Sequence, residues 1–179
     1  MAILKIARMG HPVLLRVADP VPDPATPDIE RLIADMIETM DDANGAGLAA
    51  PQVHVSLRLF VYRLSADRPG VTAAQGPSAI INPVVTPLGT EIVTHWEGCL
   101  SIPGLRAAVP RAARIRVTGV DQYGAPIDTE AEGFHAAIIQ HELDHLDGIL
   151  YPMRMTDHRL FAFNEELARY GSPRNAPNE

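Results

Sequence analysis

At 179 residues, 46% hydrophobic and 21% charged, the chain has the makeup of one ordinary globular domain, and its apolar runs fall far short of a membrane span. A formal charge of −7, from 15 basic against 22 acidic side chains, disfavours nucleic acid as its main partner. The one cysteine, Cys99, excludes an intramolecular disulfide and leaves an inert thiol, a reactive one or a metal ligand.

Residues 1–15 hold no long apolar core and no small-residue cleavage site, so no secretory signal is expected and the cytosol is the default compartment. Pro20, Pro22, Pro24 and Pro27 then stiffen an extended segment. Thr26 in the capping position, Pro27 at the first helical position, and Ile29, Leu32, Ile33, Met36, Ile37 and Met40 at helical spacing predict a helix over 27–43, ended by Asn44 and Gly45. Strands are expected over 57–64 and 79–82, the second stopped by Pro83. Residues 84–86 and 91–94 read as a hairpin around Pro87-Leu88-Gly89, and 65–78, without periodicity, as a loop. Alternation over 114–120 and a turn at Tyr123-Gly124 predict a strand paired with 126–129. A second helix is expected over 132–147, with Phe134, Ile138, His141 and His145 on one face and Gly148 as its stop. A short helix over 158–169 and a frayed tail over 171–179 complete one α+β domain without repeats or linkers.

The sharpest chemical signal is His141-Glu142-Leu143-Asp144-His145. Histidines four apart on a helix share a face, so both imidazoles can reach one metal, and Glu142 lies near enough to handle a water on it. A helix that happens to carry two histidines is the bland alternative. Downstream, His158 and Glu165 are the candidates for a third ligand. Upstream, Cys99 in Glu97-Gly98-Cys99-Leu100-Ser101 is the better one, because a thiolate with two imidazoles leaves one open position for water. A third segment, Gly45-Ala46-Gly47-Leu48-Ala49-Ala50-Pro51-Gln52, joins two glycines that permit close backbone approach to an amide donor, Gln52.

In order, these three segments resemble the signature motifs of the peptide deformylases, G-x-G-L-A-A-x-Q, E-G-C-L-S and Q-H-E-x-x-H, standing here as Gly45–Gln52, Glu97–Ser101 and Gln140–His145. The resemblance extends to Gly10-His11-Pro12-Val13-Leu14 and to Arg106–Arg111, and covers residues 6–151. It implies an α+β catalytic domain over 1–170, with antiparallel β-sheets around a central metal-binding helix, an N-terminal helix and a short C-terminal helix. The implied activity is removal of the formyl group from the N-terminal formylmethionine of new polypeptides, releasing formate. By resemblance Cys99, His141 and His145 hold the metal, a water on it is the nucleophile, and Glu142 takes the water's proton and passes it to the departing amine. The Gln52 amide and the Leu100 backbone N–H are the implied donors to the oxyanion. An extended substrate would pair with Gly45, Ala46 and Gly47. Its methionine pocket falls on Ala46, Gly98, Leu100, Phe134, Ala137 and Ile138, with His141 at the base.

Arg106 is expected near the bound peptide or in a surface ion pair, and Glu97 as a carboxylate that orients a ligand. His11, His54, His95, His135 and His158 have no motif role. Thiolate and imidazole suit zinc, whereas the family is known for Fe(II) and accepts nickel or cobalt, so one divalent ion is expected, Fe(II) in the cell. Formylated nascent polypeptides are the implied partners, with transient proximity to the ribosome, and neither nucleic-acid binding nor a membrane is expected. The tail, with Glu165, Glu166 and Glu179 against Arg169 and Arg174, differs from the basic helix some bacterial members dock with. Trp96 and Phe134-His135-Ala136-Ala137 lie nearer the branch that includes organellar enzymes, yet a bacterial cytoplasmic protein is the simpler reading. Two rivals stand beside this one: a zinc peptidase that ignores Cys99, and a silent protein that keeps a metal for stability.

Overall fold

The structure, a computed structural model, describes residues 2–65 and 75–172. In chain order it forms α1 (Pro27–Asp42), β1 (Gly47–Ala49), β2 (Leu59–Leu64), β3 (Gln75–Pro87), β4 (Ile92–Cys99), β5 (Ile102–Ala112), β6 (Arg114–Val120), β7 (Pro126–Glu132), α2 (Gly133–Leu146), β8 (Phe161–Phe163) and α3 (Asn164–Tyr170). Short 3-10 turns cover Pro12–Leu15, Ala50–Val53, Tyr151–Arg154 and His158–Leu160. Two antiparallel sheets result, one ordered β1-β2-β3-β6-β7 and the other β4-β5-β8. No described helix is long and apolar enough to cross a membrane.

Alternation along β2 explains how α1 and α2 are held. Leu59 and Val61 pack with Ile29, Ile33, Met36 and Met40 of α1, whereas Phe60 and Tyr62 pack with Ile138, Ile139 and Leu146 of α2. A strand covered on both faces reads as an unbroken apolar run, and burying each such side chain stabilises by about 1.5–3 kcal/mol. A third cluster, including Leu14, Ile102, Val109, Leu150 and Tyr151, fills the space around β5. The N-terminal segment ties the turns of the later site together. Ala7 N–H donates to the Gln52 carbonyl at 2.7 Å and Met9 N–H to the Ser101 carbonyl at 2.8 Å.

Several expectations are corrected. Thr26 occupies the N-cap but makes no side-chain capping bond, and α1 ends at Asp42, where Asn44 turns into the left-handed region at φ 53°. Pro83 does not stop its strand. The register shifts between Ile81 and Val84, Asn82 takes φ 50°, and its side chain satisfies both the N–H and the carbonyl of Val21 at 2.9 Å. The bulge absorbs the missing proline donor, so β3 runs on to Pro87. Residues 84–86 and 91–94 do not form a hairpin: β3 pairs with β6 and β4 with β5, because the chain changes sheets between them. Of the expected loop over 65–78, the end from Gln75 belongs to β3, while 66–74 lie outside the described residues. The single C-terminal helix divides into a 3-10 turn, β8 and α3, since β8 pairs with β5 at Arg106↔Ala162. The expected frayed tail lies outside the described residues from 173 onward.

Candidate metal centre

Three chain segments meet where α2 passes the ends of β1 and β4. Strand β4 delivers Glu97, Gly98 and Cys99 before the turn into β5, α2 delivers His141, Glu142 and His145, and the Ala50–Val53 turn delivers Gln52. Because α2 lies between the two sheets, Glu142, Asp144 and His145 are buried along with its apolar residues, and buried charge requires partners.

The Cys99 sulfur and one nitrogen from each of His141 and His145 lie within 4.8 Å of one another, the Cys99 Sγ–His145 Nε2 distance being 3.2 Å. Among the described residues no other such cluster occurs, and His158 and Glu165, both exposed, are not part of it. His141 Nδ1 stands 2.7 Å from Glu97 Oε2. Burial raises the Glu97 pKa, but hydrogen bonds and charge from Arg111 and His141 outweigh it and hold the group down at about 2. Glu97 is therefore a carboxylate that only accepts, which places the proton on Nδ1 and leaves His141 Nε2 to coordinate. Glu97 thus fixes the His141 ring through Nδ1.

The chemistry of the donor set fits a divalent ion. Burial opposes a thiolate, yet the charge of His145 and the hydrogen bonds of both histidines hold Cys99 well below the ordinary thiol range. Burial likewise opposes the imidazolium, while hydrogen bonds donated to Cys99 and Glu97 hold His141 well above its usual range. A thiolate beside two imidazoles is a donor set on which a divalent cation takes the place of protons. The buried His145 Nδ1 and Glu142 Oε2 have no hydrogen-bond partners among the described residues.

Glu142 is 4% exposed, and burial pushes its carboxyl up to about 7 against the pull of His141 and His145. Gln52 is fixed by the Ala49 N–H, which donates to its Oε1 at 2.8 Å, while its Nε2 donates to Ser101 Oγ at 3.1 Å and more weakly to Cys99 Sγ at 3.5 Å. Every expected site residue except His145 lines one cavity of about 900 Å³, and His145 meets that lining through Cys99 Sγ. A Cβ at Gly45 would come within 2.9 Å of Leu100 Cδ1, so the glycine keeps the two cavity walls in contact. Arg106 stands opposite Gly98, exposed, lining the cavity and without an ion pair among the described residues.

Sequence reasoning missed the charge network behind the ligands. Arg111 grips both Glu97 oxygens at 2.7 and 2.9 Å and donates to Asp144 Oδ2 at 2.6 Å, while Arg154 donates to Asp144 Oδ1 at 2.8 Å. Tyr151, 1% exposed, stacks on His141 with ring centroids 6.1 Å apart. The available signal was a charged residue, Arg111, inside the apolar run of β5. His95, one of the histidines without a motif role, also lines the cavity.

The family model described as Polypeptide deformylase matches residues 3–160. The chain is 51% identical to Peptide deformylase 2 of Ralstonia nicotianae over 92% of this chain and 94% of that protein. It is 48% identical to Peptide deformylase 1 of Nitrosomonas europaea, with 92% and 94% covered. Among solved structures, the peptide deformylase of Thermotoga maritima matches with a TM-score of 0.78 at 37% identity, over 88% of this chain and 100% of that one. A class I type b peptide deformylase from Acinetobacter baumannii, bound to Met-Ala-Ser, matches with a TM-score of 0.79 at 34% identity, over 86% and 99%.

Proposed function

The chain belongs to the polypeptide deformylase family, enzymes that remove the formyl group from new polypeptides, and we propose that it does so with Cys99, His141 and His145 holding one divalent ion and Glu142 moving the proton. The observation that carries this reading is the buried Glu142 carboxylate, lining the cavity beside the three converging donor atoms, with its Oε2 unpartnered among the described residues.

When bound, the ion supplies positive charge that acidifies a coordinated water and polarises the formyl oxygen. Glu142, whose carboxyl is raised by burial to about 7 in the metal-free chain, is the group that accepts the water's proton and returns it to the departing amine. Gln52 Nε2 spends one hydrogen on Ser101; the longer contact to Cys99 leaves the other free to turn toward the oxygen that gains charge, joined by the Leu100 backbone N–H. Each such donor is worth about 100- to 1,000-fold in rate. The substrate lies extended beside Gly45, Ala46 and Gly47, with its methionine among Gly98, Leu100, Phe134, Ala137 and Ile138 and its following residues near Arg106. The Met-Ala-Ser complex of the Acinetobacter relative supports a peptide beginning with methionine in this cavity. Fe(II) is the ion in the cell, with zinc, nickel or cobalt able to replace it, and thiolate with imidazole accommodates all of them. The partners are formylated nascent polypeptides close to the ribosome, in the bacterial cytoplasm.

The test is formate release from formyl-Met-Ala by protein purified anaerobically and loaded with Fe(II), Ni(II) or Zn(II). Release in the iron or nickel form, lost in Glu142→Ala with the metal retained, is the expected result. No release from any fully occupied form would sink the proposal and favour the silent metal protein. Full metal stoichiometry in Cys99→Ser would sink the ligand assignment and favour the zinc peptidase.

A further inference from the structure

The hydrogen bonds that hold His141 continue past the metal centre to the surface. His141 Nδ1–H donates to Glu97, Arg111 forks onto Glu97 and reaches Asp144, and Arg154 closes the chain on Asp144 with Nη2 at 2.8 Å and Nε at 3.3 Å. The side chains of Glu97, Arg111 and Asp144 are at most 8% exposed, whereas that of Arg154 is 46% exposed. Arg154 therefore stands at the solvent end of an unbroken line of charge-assisted bonds whose other end is a metal ligand.

We propose that Arg154 is a positioning residue for the metal centre, acting through Asp144 and Arg111 on Glu97 and so on His141. This rests on the reading of Cys99, His141 and His145 as the ligands. Two carboxylates and two guanidiniums balance in the network, and Asp144 Oδ2 is shared between Arg111 and Arg154. Without Arg154, Arg111 alone must serve two buried anions. Its planar fork is rigid, so any tilt toward Asp144 opens the paired bonds to Glu97. The same 3-10 turn, Tyr151–Arg154, also stacks Tyr151 on His141, so displacing the turn reaches that ring by a second route.

The experiment uses the full chain loaded with Co(II). Wild type, Arg154→Ala, Arg154→Lys and, as a control, Arg116→Ala are compared; Arg116 pairs with Asp128 at the surface, both side chains being exposed. The readouts are the thiolate-to-cobalt and ligand-field absorption bands, the rate of cobalt release to a chelator, the melting temperature, and kcat and KM on formyl-Met-Ala. For Arg154→Ala the ligand-field bands shift and release quickens about tenfold, the lower end of what partners behind a ligand contribute. kcat falls with KM unchanged, Arg154→Lys recovers part of each effect by restoring the charge, and Arg116→Ala matches wild type. A lower melting temperature with wild-type bands and release rate would reduce Arg154 to a structural residue and overturn the proposal. A wild-type chain with no thiolate-to-cobalt band would instead overturn the ligand assignment, and this inference with it.

Discussion

Gly47 and Glu142 face each other so closely that a Cβ on residue 47 would overlap Glu142 Oε1 and stand 2.7 Å from Cδ. The second glycine of the first motif is therefore a spatial requirement of the carboxylate on α2. Backbone conformation does not demand it, since Gly47 is absent from the positive-φ positions. Gly47→Ala forces the carboxylate out of place. Because a misplacement of about 1 Å can cost about 100-fold, kcat for formate release should fall by that order while metal content stays at wild type.

Glu142 links activity and stability to pH in opposite senses. As the proposed base it must be ionised, so kcat/KM should rise as pH climbs into the neutral range, and Glu142→Gln should lose about 100- to 10,000-fold with its metal retained. In the metal-free chain its folded pKa of about 7 exceeds the ordinary 4.5. Its protonated form favours folding below 4.5, and that contribution is lost as pH rises through 7. Urea unfolding should show Glu142→Gln gaining on wild type between pH 5 and 8, roughly the window these pKa values set.

Arg111→Leu leaves Glu97 and Asp144 as buried anions. Breaking a buried pair in this way costs about 3–5 kcal/mol, measurable as a lowered urea midpoint. The acid limb should change as well. Glu97, held at about 2 against an ordinary 4.5, contributes stability above 4.5 that is lost as pH falls through 2. Without Arg111 that loss begins at higher pH.

Gly148 sits at φ 72°, where a Cβ would come within 2.7 Å of the Leu15 carbonyl oxygen. Gly148→Ala adds left-handed strain to a backbone clash, so a loss of about 1–3 kcal/mol is expected by calorimetry. Metal binding by the folded fraction should persist, since the clash lies beyond the last turn of α2.

The site was legible because its chemistry is local. Cys99, His141, Glu142, His145 and Gln52 stand in short segments whose residue types and spacing carry the signal, and helical periodicity places both histidines on one face. The strands were less legible where long-range pairing outweighed local rules: Pro83 looked like a stop because the Asn82 side chain that supports the bulge bonds to Val21, far away in sequence. The same holds for β8, which becomes a strand by pairing with β5.

From its residues alone the chain declares one α+β domain, two helices close to their observed spans and a set of metal-ligand types, since periodicity, capping and donor chemistry are properties of neighbours. Only the tertiary structure brings Cys99 to within reach of both histidines, buries Glu142 Oε2 without a hydrogen-bond partner among the described residues, and threads Arg154, Asp144, Arg111 and Glu97 into one line behind His141. Those are matters of distance and desolvation between segments far apart in the chain, and they exist only once both sheets close around α2.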